Sequence, residues 1–486
     1  MPLLAAIPLI MLASLAGICA AYYAVVWWRI TQVSRQLPTL RAGLGEGASL
    51  IPDSRPATPA SSSAPRPPRP PRPSRPPRVA IIIPAHNERD VIERLAISLC
   101  RLECDHFRAV FVLDRCTDDT EALLRNALDA HAIDSDHRER FEIIVNTHCP
   151  EGWTGKNHAA HRGVRDSVAA QHADFFCFID ADTAFEPRGL TAALNLMERN
   201  GLDLLSLLST LDIAAWYERV VQPAAGVELI RQFPLDLVNR PDSNRAFANG
   251  QFLLFRRGAY EAVGRGPPSG RAGVGEAVGE GRDEAEGEDE TRDEVALPPE
   301  STGNSSVSLG AHERVRHELL EDLAFARKIK WFHKDLRLGV VLADGLFRCR
   351  MYRSWPAFVR GWKRIYTEAA RRRPARLRTN AWRLRAVGTA LPLCTAIAFV
   401  TGPIVMKLGD MPLGAALLIT GALGVYAFAG AVARALRAQH APAWLMVLYP
   451  VGAWLTARIM SSAASDLVEG QHTQWAGKTY HRTIRP

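Results

Sequence analysis

Charge is missing from the start of this chain: no charged side chain occurs between Pro2 and Trp28. A run this apolar is close to the ~20 residues that cross the hydrocarbon of a bilayer, and Trp27 and Trp28 stand where an interfacial aromatic belt is expected. The run also lacks the basic n-region of a secretory signal and outlasts the ~7–15-residue apolar core of one, so residues 1–29 read as a transmembrane anchor. Arg29, Arg35 and Arg41 follow it. The positive-inside rule then places the downstream chain in the cytoplasm, at the cell membrane.

Paired cysteines are missing too. The eight cysteines include no C-x-x-C and no spacing that suggests zinc ligation or a disulfide framework, which leaves reduced thiols as the simplest account. Large apolar side chains are nearly absent from residues 264–311, where an acidic run extends from Glu276 to Glu294. Such a segment buries too little surface to offset the entropy of ordering, and it reads as a disordered surface insertion.

What is present divides into two physical phases. Residues 30–78 read as a linker in which Arg66, Arg69, Arg72, Arg75 and Arg78 recur every third residue among prolines. A polyproline II helix turns once per ~3 residues, so all five line one edge, either against anionic headgroups or as a solvated spacer. The net charge of +8 lies largely here and beside the apolar stretches, so a lipid surface is the expected partner and nucleic acid is not. Residues 79–352 alternate strand and helix signals and imply an α/β domain with a mostly parallel sheet, whose ligands sit beyond the carboxyl ends of the strands. Residues 353–375 follow as an amphipathic helix: Trp355, Phe358, Trp362, Ile365 and Tyr366 recur at helical spacing, which suits a membrane interface or a packed surface helix. Residues 386–465 hold about three apolar stretches that read as membrane helices, before a tail at 466–486. Three spans carry that tail across the membrane from the catalytic domain, whereas Lys478, Arg482 and Arg485 argue for the same side; a re-entrant stretch is the alternative.

The strongest chemical signal is FFCFIDADTAF, a hydrophobic strand delivering Asp180 and Asp182. Extended residues at i and i+2 point the same way, and a turn at the strand end lets both carboxylates approach one divalent ion. Mg²⁺ or Mn²⁺ there would bridge them to a diphosphate. A D-x-D alone is common, and its neighbours carry the weight. VAIIIPAHNE, VLDRCTDDT, GWTGKNHA, FIDAD, FANGQFLLFRRGAYEAVG and HELLEDLAFA occur in the order and approximate spacing of the inverting family-2 glycosyltransferases of GT-A type. Over about Val79 to Trp362 the chain resembles that family, and it looks most like the membrane-bound branch that glycosylates lipids, including ceramide glucosyltransferases and bacterial enzymes acting on carotenoids or hopanoids.

The resemblance implies a Rossmann-like GT-A domain held by N- and C-terminal transmembrane helices, a nucleotide-sugar donor, a divalent metal and a membrane lipid-like acceptor. It implies donor contacts at Pro84, Ala85, Glu88, Asp114, Lys156 and Asp180, a metal on Asp180 and Asp182, and a catalytic base at Asp322. Asn249, Gly250, Gln251, Glu321 and Trp362 fall on the sugar and acceptor side. Two departures stand out. Leu113 replaces the first acid of the V-D-D-G-S-T-D motif, and of the processive Q-x-x-R-W signature only Trp362 stands in place, which implies a single transfer. Glycosylation of a polyprenyl phosphate on the same fold, or an inactive membrane scaffold, are the rival readings.

Overall fold

The computed structural model describes residues 3–46, 75–265, 310–471, 473–475 and 478–480. Most of the acidic insertion and linker residues 47–74, with Arg66, Arg69 and Arg72, lie outside the described residues.

Strands β1 (Val79–Ala85), β2 (Phe107–Asp114), β3 (Phe141–Asn146) and β4 (Phe175–Ile179) are joined by helices, and β5 (Thr183–Phe185) follows at once. Then come β6 (Leu204–Leu208), β7 (Thr210–Leu211), β8 (Phe252–Arg256), β9 (Leu338–Leu342) and β10 (Phe347–Cys349). Seven of them form one sheet in the order β3-β2-β1-β4-β8-β6-β9, and β5-β10-β7 form a small second sheet. Only β8 runs against the rest of the large sheet, antiparallel to both β4 and β6.

The near-continuous apolar runs of these strands follow from burial on both faces. Side chains alternate across the sheet, so Ile81, Ile83, Cys177 and Ile179 enter one core with the helices Ile92–Cys100 and Gly189–Asn200. Ile82, Phe176 and Phe178 enter the other, with the helices Gly155–Asp166 and Glu321–Phe332. The reversed β8 has a direct consequence for the site. Its start, at Asn249–Gln251, arrives at the same edge where β1, β2 and β4 end.

Four helices are long and apolar enough to cross a membrane, at residues 6–33, 374–407, 411–438 and 443–468. The amphipathic helix is observed at Trp355–Ala369, but its aromatic stripe faces protein. Phe358, Trp362 and Tyr366 are buried in a cluster with Ala224, Leu377, Tyr449 and Met460, and Tyr366 Oη donates to the Ala225 carbonyl at 3.1 Å. Neighbouring helices cover the surface that the sequence offered to lipid. Past the first helix, residues 40–44 form a 3₁₀ turn packed on the Gly189–Asn200 helix, with Arg199 donating to Ala42 O at 3.1 Å. Arg75 closes the linker with two hydrogen bonds to Asp174, at 2.9 and 3.0 Å.

Candidate active site

Four chain segments distant in sequence meet at the carboxyl edge of the sheet. The strand β4 ends in Asp180, whose amide donates to Gln251 O at 3.4 Å across the antiparallel β4–β8 pair. Thr154 caps the helix carrying Lys156 by accepting from Asn157 N at 3.3 Å, which aims that helix's first turn at the same point. Lys156 Nζ then lies 2.7 Å from Asp180 Oδ1 and 2.7 Å from Glu321 Oε1. Glu321 and Asp322 occupy the first turn of the Glu321–Phe332 helix, where the macrodipole favours carboxylates. Asp322 Oδ2 accepts from the Gly250 amide at 2.6 Å, and its Oδ1 accepts from Leu323 N at 2.7 Å.

Charge is concentrated and poorly solvated here. Burial and then the Glu321 carboxylate push the Asp322 carboxyl up to about 7, against the opposing pull of Lys156. Burial and then Asp180 push Asp182 up to about 7 as well. Burial, followed by Asp182 and Asp180, pushes Glu88 up to about 8, which places that residue of the β1 loop in the same acidic field. Burial works against the Lys156 ammonium, yet Asp180 and Glu321 outweigh it and hold the amine protonated above its usual range.

Gly250 is the hinge of this arrangement because a side chain there would enter it. A Cβ would stand 3.1 Å from Asp322 Oδ2, 3.2 Å from Lys156 Nζ and 3.3 Å from Glu321 Oε1, tighter than ordinary contact. Gly250→Ala should lower the turnover rate by about 10- to 100-fold, since displacements near 1 Å cost up to ~10²-fold, while leaving the melting temperature nearly unchanged. Steady-state kinetics beside a melting curve checks this; a wild-type rate would show that the spacing is not critical.

The remaining candidates fall at varying distances from that centre. Asn249 is tied to the β6 end, donating to Leu207 O at 2.8 Å and to Gln251 Oε1 at 3.1 Å. Pro84 and Ala85 form the end of β1, paired with Val112 and Leu113. Asp114 is 2% exposed, with its carboxylate held by Asn146 at 2.6 Å and by Arg115 at 2.7 Å. Trp362 is 2% exposed and packs between Phe358 and Tyr366 in the apolar cluster with Tyr449 and Met460. His312 accompanies it as a core residue: it is buried against Phe178 and shares a 2.9 Å hydrogen bond with Tyr260 Oη.

Two further residues reach the candidates without an obvious sequence signal. Cys349 donates its thiol to Asp182 Oδ1 at 3.5 Å, through the pairing of Cys349 with Thr183 in the small sheet. Asn146, opposite Asp114 in the β2–β3 register, also accepts from Arg162 at 2.8 Å. Only the strand FEIIVN, ending in a polar residue level with VFVLD, hinted at it. All eight cysteines are free.

Asp180 and Asp182 suit a hard divalent cation, which takes one or two carboxylates and completes its octahedron with phosphate oxygens and water. Among the described residues no group of three or more His, Cys, Asp or Glu has metal-holding geometry.

Residues 80–264 match the sequence profile of glycosyl transferase family 2. Among solved structures, the chain is similar to a mannosyltransferase from Pyrobaculum calidifontis in complex with GDP-Man and Mn²⁺, at 14% identity over 85% of this chain and 99% of that one, with a TM-score of 0.38. It is also similar to S. aureus TarS in complex with UDP-GlcNAc, at 12% identity over 83% and 96% of the two chains, TM-score 0.34. A third is the glucosyl-3-phosphoglycerate synthase of Mycobacterium tuberculosis with Mn²⁺, UDP and product, at 16% identity over 61% and 80%, TM-score 0.34. No curated protein gives a significant match. The matched stretch holds β1 to β8 with Lys156, Asp180, Asp182 and Gly250, so this part of the chain is similar to a glycosyl transferase family 2 domain.

Proposed function

We propose that the enzyme moves one hexose from a nucleotide-sugar, a UDP-hexose, to a hydroxyl of a membrane lipid-like acceptor, with inversion, at the cytoplasmic face of the cell membrane. One observation carries the reading: Lys156 joins Asp180 to Glu321, and Asp322 stands beside them on the Gly250 amide, so the carboxylates assigned to donor and base lie in one cluster. An inverting transfer needs this arrangement. The acceptor oxygen attacks the anomeric carbon from the face opposite the leaving diphosphate, so the base and the diphosphate site must lie near each other on either side of one sugar.

In this reading Asp322 takes the hydroxyl proton as the new C–O bond forms and the bond to the nucleoside diphosphate breaks. Its raised affinity for protons, from burial and from Glu321, suits a base working near neutral pH. The Gly250 amide holds one carboxylate oxygen and the Leu323 amide the other, which fixes the orientation of the group. Lys156 supplies a point charge near the departing phosphates. A divalent ion on Asp180 and Asp182 would neutralise charge developing on the diphosphate. Asn249 and Gln251 offer amides that can both donate to and accept from sugar hydroxyls.

The lipid-like acceptor is supported by the four apolar helices and by how the catalytic domain joins them. The Trp355–Ala369 helix lies in the same apolar cluster as the Tyr449–Val468 helix, so an amphiphile held in the bilayer reaches the domain by lateral diffusion. Incubating membranes containing the enzyme with a panel of labelled nucleotide-sugars, then extracting lipid, tests the proposal. Label from one UDP-hexose should appear in the organic phase and resist mild acid. Acid-labile label would indicate a phosphate acceptor, and label confined to water-soluble product would remove the lipid acceptor.

A further inference from the structure

We infer that the last apolar helix does not cross the bilayer: residues 443–468 form a re-entrant element on the catalytic side, presenting Trp444, Val447, Val451 and Trp454 to the lipid interface. The inference rests on the reading that the other three apolar helices span a membrane.

Those three helices form a bundle with consistent directions. The first helix runs parallel to the third, since Tyr23 packs on Phe428 at 5.0 Å, Trp27 on Tyr426 at 5.3 Å, and Gly17 faces Thr420. The second runs the other way, with Tyr23 Oη donating to Val387 O at 2.7 Å at one end and Val405 clustering with Leu9, Leu12 and Leu413 at the other. Charged residues mark the two ends. Lys407 and Asp410 cap the far side, while Arg29, Arg385 and Arg434 lie on the side of the catalytic domain.

Among the described residues, the polar contacts recorded for the last helix lie at the near end of that bundle and on the catalytic domain. Thr389 Oγ1 donates to Pro450 O at 3.0 Å, Arg385 to Ser461 Oγ at 2.8 Å, and Lys363 of the catalytic side to Asp466 at 2.7 Å. These partners step outward from the bilayer as the helix proceeds. At ~1.5 Å per residue, Thr389 lies about 6 Å inward of Arg385 and about 27 Å short of Lys407, so the helix start enters only a small part of the ~30 Å hydrocarbon. The chain also arrives from the catalytic side. His440 Nε2 lies 2.8 Å from Asp344 Oδ1, and Gln439 donates to Pro223 O at 3.4 Å, both in the globular domain. Entry and exit are therefore on one face.

The outward surface fits a lipid interface. Trp444, Val447, Val451 and Trp454 are 60%, 73%, 51% and 42% exposed, and Arg458 lies over the Trp454 ring at 5.0 Å. Indoles at headgroup depth with an arginine beside them suit the boundary between acyl chains and phosphates. The consequence is three spans, with the chain leaving the last helix on the same side as the active site.

Protease protection in sealed vesicles tests this on the full chain, with one epitope tag at the C-terminus and a second inserted at Gly409. The C-terminal tag should share the fate of the catalytic domain, cut or protected together, while the Gly409 tag shows the opposite fate. A C-terminal tag that behaves like the Gly409 tag would overturn the inference and leave the membrane-spanning reading intact. If both tags follow the catalytic domain, the bundle does not span, and both readings fall. The C-terminal tag needs no internal insertion, so its comparison with the domain stands even if the Gly409 insertion misfolds.

Discussion

Asp322→Asn is expected to lower the transfer rate by about 10³-fold while leaving nucleotide binding close to wild type, the loss typical of removing a positioned general base. Asparagine keeps the shape and can still accept from the Gly250 amide, which Asp322 binds at 2.6 Å, so the site should stay assembled. The pH profile supplies a second readout. Burial and Glu321 raise the Asp322 carboxyl to about 7, so the wild-type rate should fall tenfold per unit on the acid side of that value, and the variant should lose this limb.

Stability should move the other way. The folded carboxyl holds its proton more tightly than the ordinary 3.8 expected for the unfolded chain, so the folded state binds more protons between about 4 and 7. Stability is then present at low pH and is lost as pH rises through that window. The neutral asparagine lacks this loss, and the variant should melt higher than wild type above pH 7. Rates, ligand binding and melting curves across pH separate these effects. Full activity in the variant would remove Asp322 as the base.

Asp182→Asn should reduce kcat/KM by about 10³-fold and abolish the rate's response to added Mn²⁺, because in the proposed reading a divalent ion on this pair would supply several kcal/mol of charge stabilisation to the leaving diphosphate. Asp182 is braced by the Cys349 thiol at 3.5 Å and by Arg350 N, which donates to its carbonyl at 3.1 Å, so the backbone should survive the change. Titrating Mn²⁺ against rate, with nucleotide binding measured with and without metal, checks the result. An unchanged metal response would sink the assignment of this pair. Cys349→Ser makes a useful companion, since a hydroxyl can still donate to Asp182.

Much of the architecture was legible because burial leaves period-two and period-3.6 signatures. VAIIIPA and FFCFI are apolar at every position since both of their faces meet helices. The single reversed strand was not legible. FLLFR is as apolar as its parallel neighbours, and direction is set by what the chain must reach afterwards, not by composition. The amphipathic Trp355–Ala369 helix shows the same limit. Its aromatic stripe was plain in sequence, but a stripe that fits lipid also fits other helices, and packing chose the helices.

By itself the sequence determined the D-x-D at a strand end, the apolar segments and their basic flanks, because each depends on local spacing and on how many apolar residues occur in a row. The tertiary structure alone decided that Lys156, Asp180, Gly250, Glu321 and Asp322 touch one another, that Cys349 reaches Asp182, and that the last apolar helix packs on the Trp355–Ala369 helix. Those facts depend on contacts between residues tens to hundreds of positions apart. Such contacts form only when two cores close around the sheet and bring the ends of separate strands and helices to one edge.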